Sequence, residues 1–135
     1  MSKKVIINIL NNLKTAGINN CKSISVKKTK TSFALIMLLY NEGYLNGFYL
    51  TNSKNIIVFL RYLNGNFLLK NLKIYGSSVK SEFVTYSKLL QMYKGPYENN
   101  YLLVLNTSYG LLTFDEIFRK NYRIGGELIF SINLY

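Results

Sequence analysis

The sequence predicts an α/β chain of the segregated α+β kind, folded as two small lobes. Residues 1–75 form an N-terminal αβαβββ unit, and residues 76–135 a C-terminal, mainly antiparallel β lobe with one helix. Three observations carry that expectation. Apolar positions recur at helical spacing in two segments of the first half, and the segments between and after them switch to a period of two. Turn-forming residues gather at Gly76, Ser77 and Ser78, where a short linker is expected. A length of 135 residues suits one domain or two very small lobes sharing a core, and an apolar fraction of 49% is enough to fill it.

The first helix is expected over residues 2–15, with Ile6, Ile9, Leu10 and Leu13 as its apolar stripe. Asn8, Asn11, Asn12 and Lys14 make the polar face, and Gly17 the stop. Residues 22–27 alternate Ile24 and Val26 with Ser23 and Ser25, the pattern of a half-buried strand. A cationic, hydroxyl-rich turn follows: Lys27, Lys28, Thr29, Lys30, Thr31 and Ser32. Segment 32–42 is mostly apolar and reads as a buried helix capped by Gly43. Segments 44–50, 56–63 and 67–75 read as strands, separated by a loop over 51–55 and an Asn64-Gly65 hairpin turn.

In the second half, 83–86 is a short strand, 87–93 a helical turn, and Gly95-Pro96 a loop. Segment 101–105 is a strongly apolar strand leading into Asn106, Thr107, Ser108, Tyr109 and Gly110. Thr113 can cap a helix through about residue 121, with Asp115 and Glu116 in the first turn where the helix dipole favours them. Gly125-Gly126 then introduces a last strand, 127–135, and Leu102, Leu103, Val104, Ile129 and Ile132 belong to the core.

Charge narrows the function. Seventeen Lys plus Arg against six Asp plus Glu give a formal +11, which points to a polyanionic partner. The charge is uneven: residues 1–75 hold eleven basic and one acidic side chain, net +10, and residues 76–135 six and five, net +1. With no His and the single Cys21, there is no Ser/His or Cys/His nucleophile, no metal site of the usual imidazole and thiolate kind, and no internal disulfide. Asp115 and Glu116 are adjacent and diverge around a helix, so they form no acid/base pair. No enzyme, no cofactor and no small-molecule substrate are therefore expected.

Membrane association is the competing class, as a basic peripheral protein on an anionic surface. The longest apolar stretch, residues 33–40, is far short of the roughly 20 residues a span needs, and the first helix is Asn-rich rather than basic on its polar side. Phe, Tyr, Met, Ile, Asn and Lys total 67 residues, against 15 of Gly, Ala, Arg and Pro. Codons for the first group are AT-rich. With no Arg-bearing presequence in view, this skew points to a mitochondrion, with a plastid or an AT-rich bacterium as alternatives.

Several residues carry candidate chemistry, each with a plainer reading beside it. Lys28, Thr29 and Lys30, between a strand and a helix N-terminus, suit phosphate or form a solvated turn. Lys14 and Thr15 end a helix, where a cation also complements the dipole. Asn106, Thr107, Ser108 and Gly110 are a hairpin turn, or compact donors and acceptors for a 2′-hydroxyl or a splayed base. Tyr86 and Tyr109 can stack on bases, whereas most of the twelve tyrosines are core or interface aromatics.

The ordered set Thr107, Ser108, Tyr109, Gly110, Leu111, Leu112, Thr113, followed after a helix by Gly125, Gly126, Glu127, resembles the C-terminal signature of the small-subunit ribosomal protein family numbered eight. That signature runs Ser-Thr-Ser-x-Gly, two apolar residues, Thr or Ser, a helix, then Gly-Gly-Glu. The resemblance covers nearly the whole chain. Leu13, Lys14 and Thr15 stand for the family's Ile-Arg-Asn, and Lys30 for the Lys of its Ser-Ser-Lys loop. Residues Glu42, Gly43, Tyr44 and Leu45 stand for its Glu-Gly-Phe-Ile, and Leu60, Arg61 and Tyr62 for its Leu-Lys-Tyr. Asn106 replaces the first signature Ser, the family's Arg-Pro-Gly turn has no counterpart over 77–83, and segment 113–125 is about two residues longer than in bacterial relatives.

The resemblance implies a structural protein of the small ribosomal subunit that binds the central domain of small-subunit rRNA through both lobes. Its partners are then that rRNA and neighbouring small-subunit proteins. The implied RNA-binding residues are Lys14, Thr15, Lys28, Thr29, Lys30, Tyr86, Asn106, Thr107, Ser108, Tyr109, Gly110, Gly125, Gly126 and Glu127. Gly125 and Gly126 would permit close backbone approach, and Glu127 would hold the loop by accepting its N–H or hydroxyl groups.

Overall fold

The structure, a computed structural model, describes residues 3–51, 54–76, 80–93 and 101–133. The expected linker at Ser77 and Ser78 and the Gly95-Pro96 loop lie outside them, as do two residues of the 51–55 loop. The chain divides into two units, one ending at Lys70 and one beginning at Asn71.

The first unit opens with α1 (Lys3–Ile18), β1 (Ser23–Lys27), α2 (Lys30–Asn41), β2 (Leu45–Leu50) and β3 (Asn55–Leu60). Its strands form an antiparallel sheet in the order β1-β3-β2, with Ser25 opposite Ile57 and Phe48 opposite Val58. Ile6, Leu10 and Leu13 of α1, Leu35, Ile36 and Leu39 of α2, and Ile56 and Val58 of β3 are buried with no exposed surface. The predicted helical stripe is therefore the buried one. Burial of that many aliphatic side chains, at about 1.5–3 kcal/mol each, dominates the unit's stability.

Helix α1 does not stop at Gly17. It continues to Ile18, and Asn20 ends it in a left-handed conformation with φ of 57°. The Cys21 N–H donates to the Ala16 carbonyl at 2.9 Å and the Asn20 N–H to the Gly17 carbonyl at 3.2 Å, the paired bonds of a Schellman motif. Gly17 serves packing instead, because a Cβ there would run into the Phe67 ring. At the end of α2, Gly43 does what was expected of it: its φ is 85°, and Gly43 and Tyr44 donate back to Tyr40 and Leu39.

A small hairpin follows, β4 (Tyr62–Leu63) and β5 (Asn66–Phe67), turned by Asn64 and Gly65 at φ of 54° and 79°. The third strand expected over 67–75 is not continuous. A 3-10 turn, Leu68–Asn71, breaks it, and the remainder, β6 (Leu72–Ile74), pairs with the last strand of the second unit. The unit boundary accordingly falls five residues earlier than the composition change at Gly76. Counted at this boundary, the first unit carries ten basic and one acidic side chain, net +9, and the second seven and five, net +2.

Beyond β6, the second unit contains β7 (Phe83–Val84), α3 (Tyr86–Tyr93), β8 (Tyr101–Thr107), β9 (Gly110–Thr113), α4 (Phe114–Arg119) and β10 (Gly126–Asn133). Antiparallel pairing gives the order β6-β10-β8-β9, with β7 also on β10. The helical turn expected over 87–93 is a full helix, α3, in addition to the one helix expected of this lobe, and Tyr86 starts it instead of ending a strand. Leu89 of α3 and Phe114 and Ile117 of α4 close over Leu103, Leu105 and Leu112 of the sheet. Leu102 and Val104 are buried as well, so β8 is covered on both faces, as its uninterrupted apolar run requires. Thr113 caps α4 by accepting from the Glu116 N–H at 3.2 Å, and Asn121, at φ of 57°, ends it with a second Asn-based Schellman pair.

Candidate RNA interface

The cationic turn of the first unit is built around a helix cap. Thr29 is the N-cap of α2: its Oγ1 accepts from the Ser32 N–H at 3.0 Å while Ser32 Oγ accepts from the Thr29 N–H at 2.8 Å. Ser32 Oγ also lies 2.7 Å from the Lys27 carbonyl, to which it donates, so the last residue of β1 is tied to the first turn of α2. Such caps stabilise by about 1 kcal/mol and hold the turn in one shape. Lys28 and Lys30 are exposed on either side of the cap. Thr29 itself is half-buried, with its hydroxyl committed to the helix.

Two features of this turn were not legible in the sequence. The Lys28 N–H donates to the Lys54 carbonyl at 2.7 Å, which brings a further exposed lysine beside the turn from the start of β3, the strand next to β1. Phe33 and Leu50 line one groove with Lys28, Thr29 and Lys30, so apolar surface adjoins the charge. The β1–β3 pairing, which sets Lys27 opposite Asn55, is the signal that could have found Lys54. At the end of α1, Thr15 is exposed, while Lys14 lines a separate groove with Ile18, Asn20, Phe67 and Lys70. The structure does not gather these residues into the α2 turn.

In the second unit the candidates converge. Strand β10 begins between β7 and β8, so that Gly126 pairs with Val84 and Glu127 pairs with both Phe83 and Asn106. A Cβ on Gly125 would collide with the Val84 carbonyl, and one on Gly126 would lie 2.8 Å from the Asn106 carbonyl oxygen. The close approach that both glycines permit is to their own chain. Glu127 is half-buried and in register with Asn106, at the base of the 106–110 turn.

That turn is internally braced. Thr107 Oγ1 donates to the Gly110 carbonyl at 3.0 Å and accepts from the Tyr109 N–H at 3.1 Å, and Gly110 adopts a φ of 97°. Thr107 therefore shapes the loop, and Ser108 is exposed at its tip. Tyr109 is 60% exposed and stacks on Tyr122, with ring centroids 4.3 Å apart and planes inclined by 13°. Tyr86 is half-buried and packs on Phe118 at 5.7 Å, immediately after the Val84–Thr85 backbone that meets Gly125. Tyr122 is the residue sequence reasoning missed, since nothing in its local pattern separates it from the other tyrosines.

A basic α/β chain with two units, a braced polar loop and exposed cations has the make-up of a structural nucleic-acid-associated protein. The family description "Ribosomal protein S8" matches residues 4–133, and the chain belongs to that family. It is 28% identical to the mitochondrial small ribosomal subunit protein uS8m of Acanthamoeba castellanii over 110 residues, 82% of this chain and 84% of that one. It is 31% identical to uS8c of Euglena gracilis over 140 residues, 95% and 96% of the two chains. With uS8 of Oleidesulfovibrio alaskensis it shares 28% over 127 residues, 94% and 95%. The chain is thus of a structural, non-enzymatic class, that of the small ribosomal subunit.

Proposed function

We propose that this protein is a constituent of a mitochondrial small ribosomal subunit that binds the central domain of small-subunit rRNA and supports assembly and translation. The convergence at the start of β10 carries the reading. Residues 106–110 and 125–127, separated in sequence, meet in one place through the Glu127–Asn106 pairing. In this reading the second unit fits a minor groove with Ser108, Asn106 and the loop backbone, and Thr107 and Glu127 hold the loop in shape. The first unit supplies attraction through Lys28, Lys30 and Lys54, with Lys14 and Thr15 as a second point of contact. Mitochondrial placement rests on the likeness to uS8m and on the AT-rich residue usage.

The test is to tag the chain in its native cells and separate ribosomal particles on gradients. The chain is expected in small-subunit particles of mitochondria, crosslinked to the central domain. Its absence from small-subunit particles sinks the proposal, and its presence in plastid particles redirects it to that organelle.

A further inference from the structure

We infer that the open edge of β2, with the aromatic face of α2 beside it, takes an extended acidic and apolar segment of a partner protein as an added strand. The inference goes beyond the RNA-binding reading, because the occupant is polypeptide. Among the described residues β2 pairs with β3 alone, so one side of it is an edge. Antiparallel pairing engages alternate residues. The Thr51 N–H donates to the Asn55 carbonyl at 3.3 Å, while the Leu60 N–H donates away from β2, to the Lys22 carbonyl at 3.0 Å. In that phase Tyr49 bonds toward β3, and the N–H and C=O groups of Phe48 and Leu50 face outward from the sheet. Edges are ordinarily guarded by lysine, proline or a bulge. The opposite edge, β1, ends in Lys27, whereas Leu45–Leu50 holds neither a charge nor a proline, and its bulge lies at Leu45–Gly47, away from the Leu50 end.

Side chains beside this edge are apolar. Phe48 lies 6.0 Å from Phe33 and 5.6 Å from Tyr40, edge-on to both, so a groove runs between β2 and α2. Phe33, Tyr40 and Leu50 are exposed there. On the other face of the sheet Tyr49, 52% exposed, packs with Phe59 at 5.8 Å. A strand added about 4.8 Å from β2 therefore sets alternate side chains against Phe33, Phe48 and Leu50 on one face and against Tyr49 on the other. Charge selects the occupant: Lys28 and Lys30 share the groove with Phe33 and Leu50, in a unit of ten basic and one acidic side chain, so the segment carries carboxylates at that end. RNA would answer the lysines but not the edge. Outward carbonyls repel phosphate, whereas a peptide main chain meets them with N–H groups at strand spacing. A second copy of this chain would bring one +9 unit against another.

The test titrates the full-length protein, labelled with nitrogen-15, with a ten-residue acetylated and amidated peptide of alternating Val and Thr flanked by two Asp at each end. Either strand direction then sets carboxylates beside Lys28 and Lys30. Amide shifts are expected at Phe48, Tyr49 and Leu50 and at Phe33 and Tyr40. Methylation of every amide nitrogen in the six central residues should weaken binding about tenfold or more, and so should Lys in place of each Asp. Lys28→Glu with Lys30→Glu should reverse the charge preference, with unaltered thermal melting to show that the fold persists. Should that variant melt early, the two peptides on the parent protein decide the charge preference. Shifts absent at millimolar peptide or lying elsewhere, equal affinity of the methylated peptide, or an unreversed preference in the folded variant overturns the proposal. Larger shifts at Phe48 and Leu50 with a twelve-nucleotide oligouridylate than with the peptide give the edge to RNA, and shifts there on concentrating the protein alone give it to a second copy; either result also overturns it.

Discussion

Phe67 fills the space that any side chain on Gly17 would occupy. The pair joins the last turn of α1 to the β4–β5 hairpin, two elements fifty residues apart, and makes a helical glycine a requirement of packing, since the left-handed residue that ends the helix is Asn20 and not Gly17. Phe67 is buried and also lies 5.6 Å from Tyr62, whose hydroxyl donates to the Cys21 carbonyl just past the end of the same helix.

Gly17→Ala should therefore destabilise the first unit although alanine is the better helix former. The expected loss is about 1–3 kcal/mol by urea unfolding, the usual range for overpacking. In a Phe67→Leu background the penalty should shrink, because the neighbour that collides is smaller. An equal penalty in both backgrounds would show that Phe67 is not the obstacle.

Division of labour between the units predicts different salt dependences of RNA binding. Lys28→Ala with Lys30→Ala should reduce the slope of log affinity against log salt by roughly 1 for each lost phosphate contact. Thr107→Ala with Ser108→Ala should weaken binding with little change in slope, since neutral groups release no counterions. Filter binding at four or five potassium concentrations measures both, and equal slopes would contradict the assignment.

Left-handed asparagines end two of the helices, a position glycine most often takes. Asn121→Ala should cost roughly 1 kcal/mol or less, because alanine keeps the Cβ crowding of the left-handed conformation and lacks the short polar side chain whose local hydrogen bonding lets asparagine adopt it. Asn121→Gly should be close to neutral. Thermal melting of the two variants decides; a similar loss in both would point to a role of the amide itself beyond the backbone angle.

Tyr44 provides a pH signature at the alkaline end. Burial, reinforced by the Glu42 carboxylate, pushes its phenol from 10.0 up to about 12. Between these values the unfolded chain ionises while the folded chain holds its proton, so rising pH draws the equilibrium toward the unfolded state. Stability from this group is thus fully present below pH 10 and declines as pH approaches 12. Tyr44→Phe should flatten that decline in a series of urea midpoints, and an unchanged profile would remove Tyr44 as its cause.

Periodicity alone reveals α1, α2 and their buried stripes, since helix-spaced leucines and isoleucines have one way to be covered. Thr113 as a cap, Gly43 as a helix end and Asn64-Gly65 as a hairpin turn are equally local, each resting on the conformational preference of one or two residues. Charge and the ordered motif from Asn106 to Glu127 were enough to place the chain in its family. Long-range pairing was not legible. That β6 leaves the first unit to pair with β10, that Lys54 stands beside Lys28, that the glycines at 125 and 126 approach their own backbone, and that Tyr109 rests on Tyr122 all depend on which strands meet. Side-chain patterns report which face of an element is buried, and only the tertiary fold decides what it is buried against.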